Sequence, residues 1–387
     1  MLFQFLYRAK TISPDFLIFY ETTERFLEGK DLYFSQDKGI GYAPTLLYFL
    51  FSPFTLLDLK TASIVFMFLN FILIFLIIFM LYRYLPIKHL LIVLTILNAS
   101  FSIRSIINNG QIGIVVLILQ LLFLTLVDKS SAKNLFYKSA IIFILLELKP
   151  YLILPYFIYL IVTRKKEAYL AVGYSILFEF IYFLINPTST IFNYIKLIAR
   201  RSQVTEKEID QSSLLSLVSG NKVIFIVYLI LILVFTYKNF PKSESERASI
   251  LFILSPLVSI YFHRQDSVFA ILIFALLLTQ INQYLVAVLV FLMFHTGTFN
   301  IYFSFQLLSM LFVLTLLIPL SKKVGLFVAF SLIIYSYIIY YININFGYQI
   351  AYRFWTPLVF LFQFLLFISY MNLKNRHFLQ LSKIRFP

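Results

Sequence analysis

Residues 62–82 read ASIVFMFLNFILIFLIIFMLY and contain no charged side chain. An α-helix needs about 20 consecutive apolar residues to cross the hydrocarbon core of a bilayer. This stretch therefore predicts a membrane-spanning helix, and similar apolar runs recur along the chain. They lie at 88–103, 111–127, 139–148, 150–163, 168–186, 223–237, 249–262, 267–281, 284–299, 303–320, 324–342 and 354–371. We expect an all-α, polytopic integral membrane protein with about 11–13 membrane segments.

The composition excludes an ordinary water-soluble domain. Of 387 residues, 61% are hydrophobic and 13% are charged, and the mean hydropathy is +0.90. The chain has no cysteine, which excludes disulfides, a thiolate nucleophile and a Cys-ligated metal. Its four histidines show no metal-ligand spacing. We therefore expect neither a metal nor a cofactor.

The basic residues form short clusters between the apolar runs, although the formal net charge is +15. Nucleic-acid binding would require a continuous basic face, so we expect no nucleic-acid partner. Cytoplasmic loops of membrane proteins are enriched in Lys and Arg. That rule places on the cytoplasmic side the clusters at 83–88, 129–138, 164–166, 238–242, 322–323 and 374–385. The remaining polar loops then share the non-cytoplasmic face of a multi-pass protein, which we expect in a bacterial plasma membrane.

The most polar segment near the N-terminus is PDFLIFYETTERFLEGKDLYFSQDKGIGYAP, residues 14–44. Between residues 16 and 28 apolar side chains recur at helical spacing, with acidic residues and Arg25 on the opposite side. This pattern predicts an amphipathic helix on the outer membrane surface. The apolar run that follows, 45–57, is short and broken by Pro53, so we interpret it as interfacial or re-entrant.

Asp15 opens this segment and is the leading catalytic candidate. A carboxylate partly desolvated by Phe16 and Phe19 can accept a proton from an attacking hydroxyl as a general base. The alternative is that Asp15 is only the N-cap of the surface helix. Asp31 and Asp37 stand beside glycines and are better explained as turn residues.

Lys149 interrupts an otherwise apolar run and is followed directly by Pro150, which breaks the helix. An ammonium group at such a break can bind an anion such as phosphate. The alternatives are an ion pair with Glu147 and an extended side chain that reaches the membrane surface.

Two further turns carry binding candidates. Asn109 and Gln111 flank Gly110 where a span begins, and such a turn can bind sugar hydroxyls or phosphate oxygens, although it can equally be a simple helix cap. His263 and Arg264, followed by Asp266, connect two spans, and Arg can bind phosphate through two parallel hydrogen bonds. The alternative there is a plain interfacial loop.

A long hydrophilic stretch from 186 to 222 contains Gln211 and Ser212. These side chains can meet an acceptor substrate, but a merely solvated loop explains them as well.

Several of these motifs occur in an order that resembles glycosyltransferase family 87. The motifs are an Asp before an amphipathic helix, GKDLY at 29–33, YAP at 42–44, NGQ at 109–111, KP at 149–150, QSS at 211–213 and a His-containing turn at 263. The likeness covers roughly residues 14–275, and we interpret residues 1–275 as a GT-C-like catalytic membrane module. Residues 276–387 then add C-terminal helices to the same membrane domain.

The resemblance implies inverting transfer of a hexose, with mannose as the expected sugar, from a polyprenyl-phosphate donor to a lipid-linked or glycan hydroxyl on the outer face. It places Asp15 on the catalytic aspartate. Lys149, His263 and Arg264 fall near the donor phosphate, and Asn109 and Gln111 fall on a motif that lines the cavity. Tyr42, Gln211 and Ser212 are the acceptor-side candidates. The expected partners are membrane lipid, the donor and the acceptor.

Two other functional classes remain open. A transporter or flippase of lipid-linked glycans predicts ionisable groups near the middle of several spans, and Glu147, Lys149 and Glu179 are the residues that approach this pattern. A polymerase or ligase of surface glycans predicts Arg-rich outer loops, of which Arg200 and Arg201 are a small example.

Overall fold

The structure is a computed structural model that describes residues 12–33, 44–82, 85–188, 191–201, 221–259, 263–278, 281–295 and 348–373, together with positions 326, 330 and 334. Over these residues the regular elements are α-helices and short 3₁₀ turns, without a β-strand, which confirms the all-α expectation. The runs at 303–320 and most of 324–342 lie outside the described residues.

The helices are α1 Pro14–Leu27, α2 Thr45–Phe51, α3 Leu59–Tyr82, α4 Ile87–Ala99, α5 Phe101–Asn109, α6 Gly113–Leu126, α7 Ala132–Leu148, α8 Leu154–Val162, α9 Lys166–Ile185, α10 Ile191–Arg201, α11 Lys222–Lys238, α12 Glu244–Val258, α13 Val268–Leu277, α14 Gln283–His295 and α15 Tyr348–Asn372. Three 3₁₀ turns lie at Ser52–Leu56, Pro150–Leu152 and Arg264–Ser267.

Two of the described helices, α3 and α9, are long and apolar enough to cross a membrane. They contain 24 and 20 residues, and the quoted stretch 62–82 forms most of α3. Phe68 and Phe75 of α3 are 58% and 65% exposed. Large apolar side chains that are exposed along one helix indicate a lipid-facing surface. Shorter apolar helices include α6 and α13, so the number of 11–13 segments stays a prediction.

The amphipathic helix predicted after Pro14 is confirmed as α1. Ser13 has the extended backbone of an N-cap, Pro14 occupies the first turn, and the chain leaves the helix before Gly29, whose φ is +71°. These are favourable residues for a helix start and a helix end. The buried face contains Phe16, Phe19, Tyr20, Thr23 and Phe26, whereas Leu27 is 53% exposed.

Aromatic side chains hold α1 against its neighbours. The Phe16 ring lies 5.2 Å from that of Phe66 in α3 and 6.0 Å from that of Phe51 in α2, measured between ring centroids. The chain breaks in the 3₁₀ turn that contains Pro53, as its sequence predicts. Consequently α1 packs against α2 and α3, and this packing fixes the position of Asp15.

Two of the helix boundaries that differ from the sequence prediction have a local cause. The apolar run 88–103 is divided at Ser100, which has an extended backbone and caps α5 by accepting a hydrogen bond from the Ile103 N–H at 3.2 Å. Its side chain competes with the helical backbone, as serine commonly does. The helix predicted over 139–148 begins earlier, at Ala132, because Ser131 provides an N-cap there. The break at Lys149–Pro150 is confirmed.

Candidate active site

Asp15 lies in the first turn of α1, where the helix dipole favours a negative charge. The interpretation of Asp15 as the N-cap is wrong, because Ser13 holds that position. The half-buried Asp15 carboxylate accepts a hydrogen bond through Oδ2 from Nε2 of Gln111. Gln111 is itself buried, with 6% of its surface exposed. Two residues 96 positions apart, both singled out by their motifs, therefore meet.

Gly110 allows this contact. It ends α5 in the left-handed conformation at φ +72°, and a Cβ built on it would lie 2.8 Å from Phe16 Cβ and 2.9 Å from Ser13 Cβ. The third near atom is the backbone nitrogen of Phe16 at 3.2 Å. A larger residue would therefore push α1 away. The turn is a helix C-cap that brings α1 close, and the Gln111 N–H bonds to the Ile106 carbonyl at 3.0 Å.

Three more hydrogen bonds hold α1 and the residues that follow it. The Tyr20 hydroxyl donates to the Leu57 carbonyl at 2.8 Å. Asn186, fully buried at the end of α9, donates through Nδ2 to the carbonyls of Phe26 at 3.3 Å and Lys30 at 2.9 Å. Asn186 was not predicted as a site residue, but it fixes the far end of the helix that presents Asp15.

A buried ion pair forms the second part of the site. Lys149 is the C-cap of α7, and its Nζ contacts Oδ1 of Asp266 in the 3₁₀ turn before α13. The side chains of Lys149 and Asp266 are 9% and 0% exposed. The other carboxylate oxygen, Oδ2, accepts the Tyr151 hydroxyl at 2.6 Å and the His263 backbone N–H at 3.3 Å. This set of donors is what a buried carboxylate requires.

The alternative that pairs Lys149 with Glu147 is wrong, since Lys149 pairs with Asp266. The sequence pattern places Asp266 after His263 and Arg264 but assigns it no role of its own. One feature of the sequence could have indicated the pair. Asp266 is a lone acid between two apolar runs, and Lys149 is a lone base at another helix break. Because a charge at membrane depth is costly, such residues tend to have a partner.

The helix α5 connects the two parts. It packs against α1 and also against the 3₁₀ turn Arg264–Ser267. The helix that carries Asp15 and the turn that carries Asp266 therefore both contact one short helix. Asn109, at the end of α5, donates to Ser105 Oγ at 3.3 Å. Its predicted role toward sugar or phosphate stays a prediction.

The remaining predicted site residues are placed only in part. His263 is half-buried and begins the turn that contains Asp266. Arg264 belongs to the same turn by its backbone, whereas its side chain lies outside the described part, as do Tyr42, Gln211 and Ser212. Within the described ranges, no group of three acidic or histidine side chains could hold a metal ion.

A buried acid, Glu147, and a half-buried acid, Glu179, lie near the same end of the molecule. Glu147 is in the last turn of α7 and Glu179 is within two turns of the end of α9. One oxygen of each carboxylate has no hydrogen-bond partner, and neither does the Tyr182 hydroxyl. Glu179 also accepts a 2.9 Å hydrogen bond from the Ile191 N–H. These acids lie beside the end that carries Lys149 and do not form a line through the spans.

Comparison with known proteins gives one family. A model of the family described as Glycosyltransferase family 87 matches residues 42–319, more than half of the chain. The match contains Gln111, Lys149 and Asp266 and begins after Asp15. No curated protein matches the chain. No solved structure matches it either.

Proposed function

The chain belongs to glycosyltransferase family 87, and we propose that it is a polytopic membrane enzyme that transfers a hexose, such as mannose, from a polyprenyl-phosphate donor to a hydroxyl of a lipid-linked or glycan acceptor. The single observation that carries this proposal is the arrangement around α5. The half-buried Asp15 carboxylate belongs to a helix that contacts α5, and the buried Lys149 pairs with Asp266, whose turn also contacts α5.

The non-cytoplasmic position of the site is supported by where the basic loops fall. Gln111 precedes α6, and Lys129 follows it. Lys133 lies at the start of α7, and Lys149 lies at its end. Each of these helices thus carries a site residue at one end and the Lys-rich sequence at the other. By the positive-inside rule, the basic end is cytoplasmic and the site faces the opposite side of the bacterial plasma membrane.

Asp15 acts as the general base. The acceptor oxygen forms a bond to the anomeric carbon as its proton passes to the Asp15 carboxylate. The bond between that carbon and the phosphate oxygen breaks, and its electron pair leaves with the polyprenyl phosphate. Because the acceptor attacks the face opposite the leaving group, the configuration inverts. Gln111 donates one amide hydrogen to Asp15 and so directs the carboxylate.

Lys149 stabilises the departing phosphate, whose charge grows from one to two negative charges. An ammonium group has three donors, and the bond to Asp266 uses one of them. The other two can be donated to phosphate oxygens. A charge held at low dielectric favours the transition state more as the phosphate charge grows. Asp266 and Tyr151 position the lysine. His263 and Arg264 lie at the start of the turn that contains Asp266.

The proposal is tested with purified full-length chain in detergent, a radiolabelled polyprenyl-phosphate mannose and crude lipid acceptors. A new labelled glycolipid that is absent with the Asp15→Asn variant supports transfer. Asp58→Asn is the matched control, because Asp58 is an exposed helix-start carboxylate that accepts the Thr61 N–H at 3.1 Å and lies outside the site. A transporter or flippase would form no glycoconjugate. Chain-length growth of a labelled glycan would instead indicate a polymerase.

A further inference from the structure

A cavity of about 530 Å³ lies at the end of the molecule opposite the candidate active site. Its walls come from the α6–α7 loop, the α8–α9 turn and the start of α12. Gln111 and Val127 bracket α6, so the cavity lies roughly 20 Å from the Asp15 contact at 1.5 Å per helical residue. Volumes of this size accommodate small organic ligands.

The charges in the cavity wall do not cancel. Lys138 pairs with Glu167 at 2.6 Å, and Lys165 pairs with Glu244 at 2.8 Å. The hydrogen bond with Glu244 raises the pKa of Lys165. Lining residues left without an ion pair among the described residues are Lys129, Arg164 and Lys166, against one acid, Asp128. The wall therefore carries an excess of positive charge.

The backbone at the rim is unusual at Arg164. Its φ is +55°, and among the described residues it is the non-glycine residue with a positive φ. The turn is closed by a 2.9 Å hydrogen bond from the Lys165 N–H to the Leu160 carbonyl, a helix end at which glycine is the usual residue. Arg164 therefore has a strained backbone conformation, and its guanidinium group adds a positive charge at the rim.

Part of the cavity wall is apolar. Phe123, Val127 and Leu160 line it and are at most 8% exposed. A ligand that fits must combine an anionic head with an apolar portion. Because this end carries the Lys- and Arg-rich loops, it faces the cytoplasmic leaflet, where anionic lipids attract basic residues.

We propose that this cavity binds the phosphate headgroup of an anionic phospholipid of the cytoplasmic leaflet, through Lys129, Arg164 and Lys166. The glycerol and the first acyl carbons lie against Phe123 and Leu160. The site is separate from the one for glycosyl transfer and does not depend on that activity.

The test uses the full-length chain in phosphatidylcholine nanodiscs that contain a minority of phosphatidylglycerol. Native mass spectrometry counts the lipids that remain bound after release. The wild type retains phosphatidylglycerol, and the triple variant Lys129→Gln, Arg164→Gln, Lys166→Gln weakens that binding about a hundredfold. This follows from about fivefold for each cation near a membrane surface.

The matched control is Lys133→Gln, Lys238→Gln, Lys242→Gln. These exposed lysines lie on the same end, outside the cavity wall, and their loss changes the net charge equally. Equal loss of phosphatidylglycerol by both triples overturns the site, because general attraction to an anionic membrane would explain it. Lys166→Gln alone gives about a fivefold effect and serves if the triple variant does not fold.

A titration of the detergent-purified chain with inorganic phosphate separates the two sources of the anion. The lipid proposal is overturned in favour of a soluble phosphate ligand if two results occur together. The wild type binds phosphate saturably and the triple variant of the cavity lysines and arginine does not, and the wild type retains no phosphatidylglycerol. Retained phosphatidylglycerol that only the cavity triple loses supports the lipid proposal.

Discussion

The two carboxylates of the site have opposite surroundings. Asp15 is half-buried and accepts a neutral amide from Gln111, whereas Asp266 is fully buried and holds a lysine, a tyrosine hydroxyl and a backbone N–H. A base must exchange its proton with a substrate, so partial exposure suits it. A carboxylate that only positions a cation must be enclosed and saturated with donors. The surroundings thus separate two chemically identical groups into a reacting and a positioning role.

Asp15→Asn gives the largest expected change in rate and can break this comparison directly. The amide cannot accept the acceptor proton, so we expect transfer to fall by roughly 10²–10⁴-fold. Initial rates with the polyprenyl-phosphate donor measure this, and donor affinity should be unchanged. Asp58→Asn should transfer at the wild-type rate. Appreciable turnover by the Asp15→Asn enzyme would remove Asp15 from the mechanism.

Asp266→Asn tests the enclosed carboxylate. Removing one partner leaves the Lys149 charge buried and unpaired, which costs about 3–5 kcal/mol of folding stability. Thermal unfolding in detergent measures this cost. The double variant Lys149→Met, Asp266→Leu should recover most of the stability, because apolar replacements remove the unpaired charge, yet it should not recover transfer. Recovery of both would show that the pair serves the fold alone.

Gly110→Ala sharpens the comparison by moving Asp15 without changing it. The new Cβ would lie 2.8 Å from Phe16 Cβ, so α1 must shift, and the left-handed backbone adds about 1–2 kcal/mol. We expect the transfer rate to fall roughly tenfold, which corresponds to an activation free energy about 1.4 kcal/mol higher. The variant should also be less stable than the wild type. Initial rates and thermal unfolding measure the two effects.

The matched control for this variant is Gly29→Ala. Gly29 has nearly the same φ, +71°, but a Cβ there meets nothing within 4 Å. It should therefore show the backbone cost and keep the transfer rate. If both alanine variants lose activity equally, the close approach of α1 to Gly110 is not what positions Asp15.

Tyr151→Phe has the smallest expected effect. It removes one donor from Asp266 and leaves the Lys149 contact in place. A hydrogen bond to a charged group contributes about 1.5–3 kcal/mol, and the remaining donors compensate in part. We expect a severalfold fall in kcat with little change in KM for the donor, because Lys149 acts mainly on the transition state. A fall in kcat as large as that of Asp15→Asn would place Tyr151 in the reaction itself.

Most helices follow from the sequence by local rules. Pro14 and Ser13 start α1, Pro53 breaks the segment after α2, and Pro150 ends α7, each through a backbone preference that needs no tertiary contact. The division at Ser100 was not predicted. An apolar run and a helix cap compete there, and periodicity alone does not detect the cap.

For the site, too, some features follow from the sequence and others follow only from the tertiary structure. The sequence by itself determined that Asp15, Gln111 and Lys149 are polar residues at helix ends in an apolar chain, because cost at membrane depth makes such residues conspicuous. Only the tertiary structure decided that Gln111 bonds Asp15 and that Lys149 pairs with Asp266 instead of Glu147. Those pairs join residues 96 and 117 positions apart. Helix packing brings them together, and helix packing depends on the shape of whole faces, such as the one that Gly110 leaves open to α1.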